Sequence, residues 1–433
     1  MKAEIYESAP DYSEYEGMNI PGALHAQAGK RPDKVWLVQN EQRLTFKDFS
    51  DKTLGLAAAL KKAGVKKGDH CALLIPNSIN YLLLQFAVIT LGAIVIPMDT
   101  RFRAHEIDFM LRFSGARYLF MVDHFLKADF VEILQEIRPN LSELKEVYVI
   151  GGTAPPDSRD FRDLLSYQAS AAEIEEIRGN LPDPEDAATT LFTSGTTALP
   201  KGVMQSHRSR IWVGIRVAER MRITEDDAIL NPLPFCHEFG GFTTPMLAIM
   251  GGCKMVIMET FNAEEAIRLI HEEKLSIING VPTMFAYMLN SPGFKEYDYS
   301  HVRTGYMSGA ACPLELVKRV QDEMHCNINV AYGLSECICH TLSEYEDSPE
   351  RKATTCGKPV RDGEIKIVDD SRGTLPLGEV GEIAVRGKNM FLGYFQNREQ
   401  TDKVLDAEGW LYTSDIGKLD KDGYLYLKAA RET

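Results

Sequence analysis

Apolar and polar positions alternate along this chain in a way that predicts helices and strands in turn. Residues 45–64, "TFKDFSDKTLGLAAALKKAG", carry a helical period. Thr45 and Asp48 supply a capping-box start, and Gly64 a natural stop. "HCALLIPN" at 70–77 reads as a short buried strand, followed by a helix over 79–91 and a strand over 93–97. A helix near 104–113, a strand "RYLFMVD" at 117–123, a helix near 125–137 and a strand "KEVYVIG" at 145–151 continue the series. Short apolar strands alternating with helices predict a parallel α/β sheet.

Residues 152–182 are polar, with proline at both ends, and read as a surface connection. A second α/β run follows, with strands predicted at 188–194, 228–234, 254–259, 275–280, 304–309 and 328–333. After about residue 345 the pattern changes to short alternating strands with Gly-rich turns: "GEIKIVD", "GEIAVRG" and "GYLYLKA". The expected division is therefore 1–182, 183–345 and 346–433: two α/β subdomains with mainly parallel sheets, then a small β-rich one. A chain of 433 residues is too long for a single hydrophobic core, which agrees.

Composition narrows the classes. The most apolar stretch, "YLLLQFAVITLGAIVIP" at 81–97, is broken by Gln85, Thr90 and Gly92 and is too short to span a bilayer. A net charge of −14, from 48 basic and 62 acidic residues, argues against nucleic acid or a membrane surface as partner. The acidic N-terminus "MKAEIYESAPDYSEYEG" is not a signal peptide. None of the spacings among the eight cysteines reads as a disulfide framework or a paired zinc motif. Cys337-Ile338-Cys339-His340 is the one tight cluster, and reduced buried thiols are preferred there over a metal site. A reducing cytoplasm is the expected location.

The chemistry concentrates in "LFTSGTTALPKGVMQSH" at 191–207. Small hydroxyls, a glycine and one lysine are what a bound phosphate needs. A Walker-type loop is excluded, because Lys201 is followed by Gly202 rather than by Ser or Thr. On composition alone a Ser/Thr-rich surface turn explains the stretch equally well.

Three further stretches change that balance: "SGAACP" at 308–313, "AYGLSE" at 331–336 and "YTSDIGKLDKDGYLYL" at 412–427. In this order, with "TSGTTALPKG", they resemble the adenylate-forming enzyme superfamily: acyl-CoA synthetases, luciferase-like enzymes and nonribosomal adenylation domains. The resemblance covers almost the whole chain. It implies two α/β subdomains plus a β-barrel-like one. It also implies activation of a carboxylic acid by ATP to an acyl-adenylate, then thioester formation with coenzyme A.

Carried over residue by residue, the resemblance makes Thr193, Ser194, Gly195, Thr196, Thr197 and Lys201 the loop over the β- and γ-phosphates. Ala198 stands where the family usually has glycine. Gly309, Ala310 and Ala311 line the adenine, Tyr332 stacks on it beside Gly333, and Ser335 reaches the α-phosphate. Glu336, with Thr196, is expected to hold Mg²⁺, a hard cation suited to oxygen donors. Asp415 accepts from the ribose hydroxyls, with Ser414 in place of a frequent glycine, and Arg431 opens the hinge motif and contacts the ribose. His237, in "PLPFCHEFGG" at 232–241, is the expected gate beside the carboxylate; His237, Lys201 and Glu336 form the catalytic set.

The acyl pocket is expected from the 237–243 segment, Met284, Phe285, Tyr306, Met307, Gly309, Ile338 and Cys339. These are mostly apolar, which implies a hydrophobic acid, medium-chain, alicyclic or aromatic. No aspartate stands where an amino-acid adenylation domain pairs the substrate ammonium, and Glu238 is out of register for that task. The resemblance further implies a small C-terminal domain beyond the hinge. The sequence ends at "KAARET", so the chain reads as the large N-terminal domain of a longer enzyme, binding ATP or acyl-adenylate but turning over poorly. The alternatives are a non-catalytic nucleotide-binding module, an amino-acid adenylation domain and a luciferase-like enzyme. The sequence leaves oligomeric state open.

Overall fold

The computed structural model describes residues 10–152, 154–193 and 200–428. The helix predicted from residue 45 runs over Phe46–Lys62, and its capping box forms: the Asp48 backbone N–H donates to Thr45 Oγ1 at 3.0 Å, and the Thr45 N–H donates to Asp48 Oδ2 at 3.2 Å. Helices Ile79–Thr90 and Ala104–Ser114 and strands His70–Leu74, Ile94–Pro97, Tyr118–Val122 and Glu146–Ile150 also follow the pattern.

Five layers stack. In one sheet the strand order is Gly393–Tyr394, Lys201–Ser206, Ala187–Thr193, Ile94–Pro97, His70–Leu74, Tyr118–Val122, Glu146–Ile150 and Arg159–Asp160. A nine-stranded sheet runs from Lys358–Pro359 through Thr341–Leu342, Asn327–Tyr332, Thr304–Met307, Ile277–Gly280, Ala228–Asn231 and Lys254–Ile257 to Val35–Gln39 and Gln42–Thr45. Between the sheets lie helices Ile20–Lys30, Phe46–Lys62, Ile79–Thr90, His207–Met221 and Thr244–Gly251, forming the central core. Strand residues alternate between layers, as a period of two demands. Ile277 and Tyr306 face the central core, while Ile278 and Met307 face the outer helices.

The sheets do not divide at the boundary expected between residues 182 and 183. Strand Ala187–Thr193 pairs in parallel with Ile94–Pro97 in the first sheet, and Val35–Gln39 pairs with Lys254–Ile257 in the second. The chain exchanges strands between its two halves, which short-range periodicity does not register. The stretch 152–182, expected as plain connection, holds two short helices, Phe161–Leu165 and Ala171–Gly179, the second started by a Ser170/Glu173 capping box. The C-terminal strands Glu364–Val368, Gly381–Arg386, Leu411–Leu419 and Leu425–Lys428 form a four-stranded antiparallel sheet, the half-barrel unit of the fold. Its core packs Ile367, Ile383, Val385 and Leu411 against Val203, Tyr332 and Cys337, so it is anchored to both large sheets. Among the described residues, no helix is long and apolar enough to cross a membrane.

A local irregularity positions the acyl segment. Phe239–Thr243 is a turn of π-helix that feeds into helix Thr244–Gly251, with Pro245 at its start. Proline has no N–H to donate, so carbonyls of the preceding turn need other partners. Gln85 Nε2 donates to Gly241 O at 2.8 Å, and Asn231 Nδ2 to Gly240 O at 2.9 Å. Both side chains are buried.

Candidate active site

The chemistry gathers where parallel strands end. Tyr332 closes strand Asn327–Tyr332, Gly309–Ala311 follow strand Thr304–Met307, and His237 follows Ala228–Asn231. Ligands in open α/β sheets bind outside these carboxyl ends. A cleft of about 510 Å³ opens here, lined by Gly309, Ala310, Ala311, Tyr332 and Gly333, with Leu427 from the antiparallel sheet. Gly309 has φ +89°, a conformation that favours glycine. At Gly333 the constraint is space: a Cβ would lie 2.4 Å from the Cys339 backbone nitrogen.

Tyr332 and Asp415 meet directly, the phenol donating to Asp415 Oδ2 at 2.8 Å. Burial, then the neighbouring Cys337 and Asp415, push the Tyr332 phenol well above its ordinary range, so it stays a donor. Ser414, where the family often has glycine, has φ +64°, which accounts for that preference, and its N–H donates to Glu382 Oε1 at 2.8 Å.

The phosphate-loop strands pair antiparallel, placing Thr193 opposite Lys201. Ser194, Gly195, Thr196, Thr197, Ala198 and Arg431 lie outside the described residues. Lys201 Nζ sits 5.1 Å from the Tyr394 ring centroid, and the Tyr394 hydroxyl donates to Glu336 Oε1 at 2.8 Å. Tyr394 thus joins the lysine to the acid expected to hold the metal. The sequence reading passed over it; its only local signal is an aromatic in a glycine-flanked strand. Gln205 was also missed: its Nε2 donates to the Ser335 carbonyl at 2.6 Å.

His237 is exposed, with Nε2 3.6 Å from Asp99 Oδ2. Asp99 follows strand Ile94–Pro97 of the other sheet, so the contact spans the two halves. Burial alone would raise the Asp99 pKa, but the neighbouring His237 and the hydrogen bonds from Arg101 outweigh it and hold the carboxyl well below its usual range. Asp99, Cys236 and His237 each bring a donor atom within 4.8 Å of the others. Arg101 Nη2 occupies Asp99 at 2.5 Å, and burial keeps the Cys236 thiol protonated, so the set orients an imidazole rather than presenting ligands.

The expected acyl residues separate into two groups. Tyr306, Ile338 and Cys339 share the central core with Phe239, whose ring lies 4.3 Å from that of Tyr306. Phe285 and Met307 are buried on the opposite face of the sheet, among the outer helices. Strand alternation puts Tyr306 and Met307 on opposite faces of the sheet, so Phe285 and Met307, expected to line the pocket, belong to packing. Met284 lines a neighbouring cleft of about 200 Å³ with Asp99 and Cys236. Cys337 and Cys339 are buried free thiols, and His340 is engaged by Glu364 O at 2.7 Å and Asn389 Nδ2 at 3.2 Å.

Fold and site together define an adenylate-forming enzyme. The AMP-binding enzyme family matches residues 24–395, and the chain belongs to that family. It is 33% identical over 408 residues to a 3-[(3aS,4S,7aS)-7a-methyl-1,5-dioxo-octahydro-1H-inden-4-yl]propanoyl:CoA ligase of Mycobacterium tuberculosis, covering 94% of this chain and 78% of the relative. The medium-chain acyl-CoA ligase ACSF2 of Bos taurus is 28% identical over 429 residues, covering 93% and 69% of the two chains. Among solved structures, the inhibitor-bound N-terminal domain of FACL13 from Mycobacterium tuberculosis aligns with a TM-score of 0.80 at 28% identity, over 95% of this chain and 99% of that one. The anthranilate CoA ligase AuaEII, in complex with anthranoyl-AMP, shares the fold with a TM-score of 0.85 at 24% identity, over 96% and 79%. Acyl-CoA ligases of this family act on small carboxylic acids with ATP and coenzyme A.

Proposed function

We propose that this protein activates a hydrophobic medium-chain, alicyclic or aromatic carboxylic acid. A carboxylate oxygen attacks the α-phosphorus of ATP, the bond to the β-phosphate oxygen breaks, and pyrophosphate leaves. The coenzyme A thiolate then attacks the acyl carbon, and AMP departs. The observation that carries this reading is the Tyr332–Asp415 pair at the edge of the Gly309–Ala311 cleft, an aromatic face and a diol acceptor side by side. The apolar neighbours Phe239, Tyr306 and Ile338, and the alicyclic acid in the names of relatives, support the acid class.

In this reading Lys201 and Thr193 face the outer phosphates, Ser335 the α-phosphate, and His237, steadied by Asp99, the carboxylate. Glu336 fits Mg²⁺: it is a hard oxygen donor, and Tyr394 engages only one of its two oxygens. The ion would supply neutralisation of phosphate charge. Eight free cysteines suit a reducing cytoplasm. The test is calorimetric titration with AMP and with non-hydrolysable acyl-sulfamoyl adenosines. The expected result is that one hydrophobic acyl mimic binds more tightly than AMP, and that Asp415→Ala weakens both. Equal affinity of Asp415→Ala and the parent chain for AMP would overturn the assignment.

A further inference from the structure

Helix Ile79–Thr90 lies between the two large sheets and is buried at every position but Asn80. A helix in that position is expected to be apolar all round. Yet Tyr81 and Gln85, with Asn77 just before the helix, recur every four residues, the spacing that shares one side of a helix. All three bond to the backbone of a single segment, residues 233–241, which carries His237 and Phe239. Asn77 Nδ2 donates to Leu233 O at 2.8 Å and to Met258 O at 2.9 Å, while its Oδ1 accepts from the Phe235 N–H at 2.8 Å. Tyr81 donates its hydroxyl to Phe235 O at 3.0 Å, and Gln85 Nε2 donates to Gly241 O at 2.8 Å. Burial keeps the Tyr81 phenol protonated, hence a donor.

The segment needs these partners because its own ladder is broken. The Thr244 N–H donates to Phe239 O, the longer reach of a π turn, and Gly240 O is taken by Asn231 instead. Pro245 has no N–H to give Gly241 O four residues earlier, and Gln85 replaces it. The segment also folds tightly on itself. A Cβ at Gly240 would lie 2.5 Å from Pro234 O, and one at Gly241 would lie 2.0 Å from Phe235 O. The stripe therefore grips both limbs of this fold, with Cys236, His237 and Glu238 between them. An apolar stripe would withdraw the donors of Phe235 O and Gly241 O.

We propose that Asn77, Tyr81 and Gln85 are positioning residues of the acyl site, acting on the acid through the 233–241 segment. The inference rests on the acid-activating function proposed above. The stripe follows strand His70–Leu74 of one sheet, and the segment follows strand Ala228–Asn231 of the other. Held from across the interface, Phe239 stays against Tyr306, with ring centroids 4.3 Å apart, and His237 stays beside Asp99. The placement of those groups sets the shape of acid accepted. None of the three stripe residues lines the Gly309–Ala311 cleft, so they act on acid selection and leave the nucleotide alone.

The experiment compares Tyr81→Phe and Gln85→Met with the parent chain. Each is titrated with AMP and with octanoyl-, cyclohexylpropanoyl- and benzoyl-sulfamoyl adenosine. Both substitutions keep the size of the side chain and remove its donor. AMP affinity is expected to stay at the parent value. The mimic the parent binds best should lose about ten-fold, the size of one good hydrogen bond, and the spread among the three mimics should narrow. Tyr299→Phe is the stability control: it deletes a hydroxyl that donates to Phe294 O at 3.0 Å among the outer helices, a bond of the same kind and length. It should lower the melting temperature and leave every mimic-to-AMP ratio alone. Tyr81→Phe removes one oxygen atom only, so it keeps the test open should Gln85→Met unfold. Parent-like ratios in Tyr81→Phe, with a melting temperature lowered as in Tyr299→Phe, would reduce the stripe to packing and leave the ligase reading standing. A parent chain that binds AMP and prefers no mimic would overturn the reading of the acid, and one that binds neither would overturn the ligase reading; this inference falls with either.

Discussion

The phenol of Tyr332 donates to Asp415 across 2.8 Å, tying the end of a parallel strand to the antiparallel sheet that follows it. The bond fixes two things at once: the plane of a ring at the mouth of the Gly309–Ala311 cleft, and the direction in which the Asp415 carboxylate presents its remaining acceptors. Asp415 is further set by its own backbone N–H, which donates to Thr413 Oγ1 at 3.2 Å.

Tyr332→Phe keeps the ring and removes the tether. A hydrogen bond to a charged group contributes about 1.5–3 kcal/mol, so AMP affinity should fall by about ten-fold or more through the loosened carboxylate. Titration of AMP into the variant measures this. An unchanged dissociation constant would show that Asp415 is held by the sheet alone.

Gly333→Ala is expected to be far more damaging than its size suggests. The new Cβ would fall 2.4 Å from Cys339 N and 3.0 Å from Cys337 O, backbone atoms that cannot swing aside. Overpacking costs about 1–3 kcal/mol, and here the displaced segment carries Glu336 and Ile338 into the site. A lowered melting temperature together with lost nucleotide binding is expected. Gly29→Ala, in helix Ile20–Lys30 with open space around it, is the control and should stabilise by about 0.5–1 kcal/mol.

Tyr332 and Asp415 were legible in the sequence because "AYGLSE" and "YTSDIG" are contiguous motifs, as the Thr45 capping box was. Tyr394, Gln205 and Asp99 were not, since each acts on a residue of the other sheet, brought near only when the two sheets pack together, across 58, 130 and 138 positions. The exchange of strands Val35–Gln39 and Ala187–Thr193 between the sheets is of the same kind. Phe285 and Met307 looked like pocket residues because apolar character does not say which face of a sheet a side chain occupies. Glu238 was noted only as out of register; the buried ion pair it makes is with Arg210, 28 positions earlier.

Acidification should destabilise the fold through buried neutral histidines. Burial lowers His207 and His340 to about 4 from an ordinary 6.5. In His340 the ring is locked neutral: Asn389 Nδ2 donates to Nδ1, and Nε2–H donates to Glu364 O. A folded pKa below the unfolded one means that the unfolded chain binds more protons between the two values, so stability rises with pH there. The stabilisation is complete above about 6.5 and declines towards pH 4, with each histidine contributing up to about 1.4 kcal/mol per pH unit. Denaturant midpoints from pH 7 to 4.5 test this, and His340→Gln should flatten the slope by one proton. A parallel slope in the variant would assign the acid sensitivity elsewhere.

Tyr394 offers the sharpest dissection of the phosphate end, because its ring and its hydroxyl serve different partners. The face lies beneath Lys201 at 5.1 Å, and the hydroxyl holds Glu336 at 2.8 Å. Tyr394→Phe removes the second contact alone. Glu336 then loses its orienting donor, and the affinity for ATP with Mg²⁺ should fall by about ten-fold, while AMP, which has no outer phosphates, binds as before. Tyr394→Leu removes the ring as well and frees the lysine, a further loss of about 0.5–1 kcal/mol from the cation–π contact. The order expected for ATP with Mg²⁺ is therefore parent, Phe, Leu, in decreasing affinity, with AMP nearly flat across the three. Tyr394 also packs in the small core with Val203 and Phe391, so melting temperatures are read in parallel. A loss of AMP binding that tracks melting temperature would mark Tyr394 as a packing residue; a loss confined to the triphosphate identifies it as the link between Lys201 and Glu336.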